Sequence, residues 1–205
     1  CLEMQIKGHD DIESSLRAFV AGERLDGDNR VLCEKCNKKF PAVLRNCFDD
    51  ELPNVLILHL KRFELDYNTF ETVKVNDACS FPFSLDLSAF THSGLQQKAP
   101  KSSDGSAYEL CGILVHRGVA NGGHYYSLIR VRRDDGPGSQ RHQWMKFNDE
   151  VVTPFNESNI PGECFGGFRQ RRGTEEYVEC ESNAYMLFYE KVAKKEGMDV
   201  DVSGE

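Results

Sequence analysis

Gly122-Gly123-His124-Tyr125-Tyr126-Ser127-Leu128-Ile129-Arg130-Val131 is the stretch from which the fold is read. After the two glycines, aromatic and branched residues dominate, as in a β-strand. Asp134-Asp135-Gly136-Pro137-Gly138-Ser139 then supplies a cluster of turn formers, and Trp144-Met145-Lys146-Phe147-Asn148-Asp149 returns as a second strand. In such an antiparallel hairpin the start of the first strand lies beside the end of the second, so His124 becomes a neighbour of Asn148 and Asp149. An amide or carboxylate there can accept a hydrogen bond from one imidazole nitrogen and leave the other to face a thiol, the Cys-His-Asn arrangement of nucleophilic catalysis. The glycines allow a substrate close to the backbone. A structural hairpin with a satisfied histidine fits the same residues.

Working outward, Asp10-Asp11 followed by Ile12, Leu16, Phe19 and Val20 gives helical spacing with acids at the N-terminal end, predicting a helix over 11–21 closed by Gly22. Val55 to Phe63 is too short for a typical helix and rich in branched residues, so it reads as a buried strand with Lys61 and Arg62 emerging at its end. Tyr108 to His116, His124 to Arg132, Gln143 to Phe147 and Ala184 to Val192 are four further strands joined mostly by turns. The fold class is therefore α+β, a mainly antiparallel sheet with few helices. Thr91 to Ala107 is polar and reads as a mobile insertion, and 156–182, rich in glycine and arginine, as a loop excursion.

Composition narrows the function. The chain has 205 residues, 40% of them hydrophobic, enough for one sizeable core. It carries no long apolar run and no signal-like start, which disfavours membrane insertion and secretion. A net charge of −8 argues against a nucleic-acid backbone as ligand and suits a basic protein surface. Part of that excess lies in the tail 193–205, read as acidic and disordered. The eight scattered cysteines fit a reducing, intracellular setting. Cys33-Glu34-Lys35-Cys36 places two thiols at the spacing of half a tetrahedral zinc site, between strand-like segments.

Three segments in this order resemble the catalytic domain of ubiquitin-specific proteases, a family of cysteine deubiquitinases. They are Cys33-Glu34-Lys35-Cys36, Leu52-Pro53-Asn54-Val55-Leu56-Ile57-Leu58-His59-Leu60-Lys61-Arg62-Phe63, and the His124 and Asn148 hairpin closing at Asn183-Ala184-Tyr185-Met186-Leu187-Phe188-Tyr189-Glu190. Glu163-Cys164-Phe165-Gly166-Gly167 further resembles the fat-facets-like branch. The resemblance implies a papain-like fold comprising the palm and part of the fingers, over residues 1–192. It implies His124 as general base, Asn148 as its orienting partner and Asp149 as a polarising carboxylate, with Gly122, Gly123 and Tyr125 lining the substrate groove. It also implies ubiquitin and ubiquitinated proteins as partners, no cofactor for catalysis, a structural zinc to which Cys33 and Cys36 would contribute, and a cytoplasmic or nuclear setting.

Family members place the nucleophilic cysteine after an asparagine at a helix start, and no cysteine here has that context. The expectation is a C-terminal part of a catalytic domain that holds the base and the substrate platform without the nucleophile. A non-catalytic ubiquitin-binding or scaffold module is the alternative.

Overall fold

The computed structural model describes residues 1–96, 105–134, 140–171 and 173–192. In chain order, β1 (Leu2–Met4) leads to helix α1 (Ile12–Phe19), and β2 (Glu23–Leu25), β3 (Val31–Cys33), β4 (Lys38–Phe40) and β5 (Ala42–Leu44) follow. Next come β6 (Val55–Leu60), β7 (Phe63–Asp66), β8 (Glu71–Lys74), β9 (Ser84–Asp86) and α2 (His92–Gln96). The long strands β10 (Ala107–Val119), β11 (Gly122–Asp134) and β12 (Gln140–Asn148) precede β13 (Val151–Pro154), α3 (Ile160–Cys164), β14 (Phe168–Gln170), β15 (Tyr177–Glu179) and β16 (Ser182–Lys191).

Helix α1 starts where the sequence places its acids. Asp11 caps it, its carboxylate accepting from Ser14 N–H at 2.6 Å, and Ile12, Ser15 and Leu16 turn inward. Among the described residues one eight-stranded sheet runs β1-β6-β16-β10-β11-β12-β13, with β9 alongside the start of β10. All its pairs are antiparallel except β1 with β6. One face is the core, where Leu56, Leu58 and Leu60 of β6, Leu187 and Tyr189 of β16, Tyr126 and Leu128 of β11 and Trp144 of β12 are buried with Ile12 and Leu16. The alternate positions Ile57 and His59 are half-buried, the period-two pattern of a sheet packed on one side. Trp144 is the only tryptophan of the chain, and its ring meets Phe83 edge-on at 6.4 Å.

Two readings of the sequence are corrected here. Arg62 does not emerge at the end of β6; it is completely buried. Its Nε donates to Ala184 O at 3.2 Å, Nη1 to Val75 O at 3.1 Å and Asp77 O at 2.6 Å, and Nη2 to Phe165 O at 3.2 Å. Burial pulls its pKa down to about 10, so the group is still a cation at neutral pH. The stretch 156–182 is not a bare loop either. It contains α3, opened by Pro161 near its first turn, and the ribbon β14–β15, because Gly166 and Gly167 turn the chain back under the loop 76–78 through Gly167 N–H to Asn76 O.

Of the stretch 91–107, His92–Gln96 form α2 and Ala107 opens β10, while 97–104 lie outside the described residues. So do the tail residues 193–205. Among the described residues no helix is long and apolar enough to cross a membrane.

Replacing Arg62 takes a donor from four carbonyls, of which Phe165 O keeps the Cys79 N–H at 2.9 Å. Arg62→Met should cost roughly 3–5 kcal/mol in urea unfolding, near the top of the range for single substitutions. Arg62→Lys, which keeps the charge but not the fork, should cost less. A loss under about 1 kcal/mol for Arg62→Met would show that the buried network is not what holds these segments.

Candidate active site

The hairpin β11–β12 pairs from Asp134↔Gln140 to Ser127↔Phe147. Continuing that register, Tyr126 stands opposite Asn148, so His124 is the diagonal neighbour of Asn148 on the same face rather than its direct partner. The chain then reverses between Asn148 and Val151, paired across the two-residue loop Asp149-Glu150, with Asp149 at φ 51°. That left-handed position is one that Asp and Asn tolerate better than most residues. The turn swings the Asp149 carboxylate back toward the imidazole.

The result is a histidine with two acceptors at one nitrogen. His124 Nε2 lies 2.5 Å from Asn148 Oδ1 and 3.6 Å from Asp149 Oδ2. Both oxygens accept, so Nε2 carries the proton and Nδ1 is left with its lone pair. His124 is about half exposed, at 47%, and Asp149 is 75% exposed, so the pair faces solvent. The sequence-selected residues Gly122, Gly123 and Tyr125 are exposed beside it, with Tyr125 packed at 5.5 Å against Tyr185.

Behind Gly123 stands His116, which the sequence did not single out. A Cβ on Gly123 would sit 2.0 Å from His116 Nε2 and 2.8 Å from Arg117 O, so only glycine fits there. The His116 ring is buried between Phe63, at 5.1 Å, and Tyr125, at 4.8 Å. Burial lowers its pKa and the nearby Lys74 lowers it further, which keeps the ring neutral at physiological pH.

On the His124 face, farther along the sheet, Tyr126 Oη and Lys146 Nζ both donate to Glu163 Oε1, at 2.5 and 2.9 Å, and the ammonium lies 3.9 Å from the Tyr126 ring centre. Burial pushes the Glu163 carboxyl up, but the two hydrogen bonds outweigh it and leave it below its ordinary value. The first residue of the Glu163-Cys164-Phe165-Gly166-Gly167 segment thus ties α3 to the hairpin that carries Asn148.

The eight thiols are all free. Burial raises Cys79 to about 11 and also raises Cys111 and Cys164, the reverse of what a nucleophile needs. Cys1 precedes β1, which is four strands from β11 in the sheet order, roughly 19 Å at strand spacing. Cys33 and Cys36 occupy the turn of the separate ribbon β3–β4. The backbone N–H groups of Cys36 and Lys35, and then the Cys36 thiol, lower the Cys33 pKa. This suits two ligands of a tetrahedral metal site, and among the described residues no group of three or more metal-binding side chains occurs.

Comparison with known proteins agrees with this layout. Residues 23–189 match the family profile described as ubiquitin carboxyl-terminal hydrolase. Ubiquitin carboxyl-terminal hydrolase 24 of Homo sapiens is 35% identical over 221 residues, a match that covers 94% of this chain and 8% of that protein. The probable ubiquitin carboxyl-terminal hydrolase FAF of Drosophila melanogaster is 36% identical, covering 91% of this chain and 7% of that protein. The chain therefore spans less than about a tenth of the length of these relatives. Among solved structures, a SAGA Ubp8/Sgf11/Sus1/Sgf73 DUB module bound to ubiquitin aldehyde superposes with a TM-score of 0.63 at 26% identity, over 94% of this chain and 36% of that one. A sheet of papain-like topology, the paired His124 and Asn148 and a sequence match over most of the chain converge, and the chain belongs to the ubiquitin carboxyl-terminal hydrolase family, among its ubiquitin-specific proteases.

Proposed function

We propose that this chain supplies the general base and the ubiquitin-binding platform of a thiol-dependent deubiquitinase, the nucleophilic cysteine coming from residues outside these 205. The observation that supports it best is the approach of Asn148 Oδ1 to His124 Nε2 at 2.5 Å: an amide oxygen there calls for a proton on Nε2, which leaves Nδ1 to accept. A thiol brought to Nδ1 would pass its proton to the ring, and the thiolate would attack the carbonyl carbon of the isopeptide bond. The imidazolium would return that proton to the departing lysine amine. Water, deprotonated by the same nitrogen, would then release the ubiquitin carboxylate. Asn148 fixes tautomer and direction and, being neutral, adds no charge; Asp149 supplies a negative field to the transient imidazolium, weakened by its exposure.

Gly122, with open space where a Cβ would stand, leaves room for an extended peptide beside the base, with Tyr125 as its apolar wall. The acidic balance of the chain suits ubiquitin, whose surface and tail are basic, and would speed encounter. Free thiols throughout fit a reducing compartment, the cytoplasm or nucleus. Cys33 and Cys36 are read as half of a zinc site in the fingers, where the metal would fix the ribbon and take no part in the chemistry.

Activity is tested with a fluorogenic ubiquitin substrate. The 205-residue chain should be inactive, a longer protein that includes the nucleophile should turn over, and His124→Ala in that protein should lower kcat by about three orders of magnitude or more. Turnover by the 205-residue chain that is lost on a single cysteine change would overturn the placement of the nucleophile. Ubiquitin binding by the longer protein without cleavage would favour a scaffold module instead.

For the metal, cobalt substitution gives a direct readout. The longer protein should bind one equivalent with a tetrahedral thiolate spectrum that Cys33→Ser abolishes, and an unchanged spectrum in that variant would exclude Cys33 as a ligand.

A further inference from the structure

Lys74 ends β8, outside the main sheet, yet two of its three side-chain hydrogen bonds go to the strand that leads into His124. Its ammonium donates to His116 O at 3.3 Å, Gly118 O at 3.0 Å and Glu181 O at 2.6 Å. A tetrahedral ammonium has three protons, and three carbonyls take them. Two belong to β10, just before the turn Ala120-Asn121, and the third to the residue before β16. The same junction is closed by Gly118 N–H donating to Glu181 O at 3.1 Å.

Gly118 has φ 111°, and a Cβ there would come within 2.9 Å of Gly122 O, so the chain is bent where the lysine grips it.

Resting on the general-base reading above, we infer that Lys74 is a positioning residue for His124, holding the backbone of His116 and Gly118 so that the next strand delivers the imidazole to Asn148. The linkage runs through named contacts. Arg117, between the two gripped carbonyls, is the Cα partner of His124, and His116 is the partner of Tyr125. The His116 ring bears directly on Gly123, while its buried Nδ1 has no hydrogen-bond partner among the described residues. Backbone anchoring and ring packing therefore hold that ring in place. Phe63, the cross-strand partner of Lys74 at the same end of the β7–β8 ribbon, packs on it from the other side.

Burial draws the Lys74 pKa down to about 8; Arg62 pushes the same way, and Glu179 and Glu181 oppose. The clamp is thus a cation at neutral pH, held where a purely ornamental lysine would not be.

The test uses Lys74→Met and Lys74→Gln, with nitrogen NMR of the His124 imidazole in the 205-residue chain. Wild type should show the Nε2–H tautomer. Either variant should move the ring toward a tautomer mixture and speed amide exchange at Gly122 to Tyr125 about tenfold, with β6 amides unchanged. In the longer, active protein, kcat should fall about 100-fold, as for an ångström-scale misplacement, with KM within about twofold. Lys74→Arg, which keeps charge and donors, should recover part of the loss.

A wild-type tautomer and exchange pattern in both neutral variants would overturn the inference, as would a lower unfolding midpoint with His124 unaffected. If both neutral variants fail to fold, Lys74→Arg decides alone: wild-type values of kcat and tautomer together with altered stability would count against a positioning role. The general-base reading fails separately, by turnover surviving His124→Ala, and the NMR result does not depend on it.

Discussion

A buried guanidinium with no carboxylate partner is the constraint on which this architecture turns. Arg62 is fully buried and is neutralised by no neighbouring acid within salt-bridge range among the described residues; four backbone carbonyls from three separate segments receive it instead. Desolvating a cation is costly, so the arrangement persists only if every segment keeps its place. One segment follows β8 and therefore also carries Lys74, a second follows α3, and the third lies in β16 beside β10. The charge acts as a shared reference point for the elements that surround the His124 hairpin, and fixes them more by forbidding alternatives than by adding net stability.

From that frame the site inherits an asymmetry. Nε2 of His124 is fully engaged, by an amide at hydrogen-bond distance and a carboxylate slightly farther off, whereas Nδ1 keeps its lone pair on a half-exposed side chain. The tautomer is set by two oxygens that meet the same nitrogen, and it needs no charge on the ring. The buried Tyr126 and the half-buried Lys146–Glu163 pair secure the strand that brings Asn148 there, so the orienting amide is anchored while the histidine it orients stays accessible.

The parts of this that sequence reveals are the local ones. The β11–β12 hairpin and the strands around it could be read because period-two patterning and turn formers act over a few residues, and α1 because its acidic cap precedes its apolar face. The proximity of His124 to Asn148 followed from hairpin logic, whereas the return of the Asp149 carboxylate to the ring depends on a turn whose φ no pattern announces. Arg62 was misread because its acceptors lie 13, 15, 103 and 122 residues away, and a strand-end Lys-Arg pair normally faces water. Lys74 gave no signal for the same reason: its meaning is a convergence of carbonyls visible only after folding. In 156–182 the glycines masked a short helix and ribbon because they serve as pivots between elements as well as links within loops.

The solitary Trp144 sits in β12, four residues before Asn148 and across from Arg130, with its indole buried against Phe83. Every ultraviolet emission signal excited selectively in tryptophan must therefore originate in the strand that presents the orienting amide. The chain carries an intrinsic optical gauge of that strand, one that distinguishes peeling of the hairpin from fraying of the fingers without any added label.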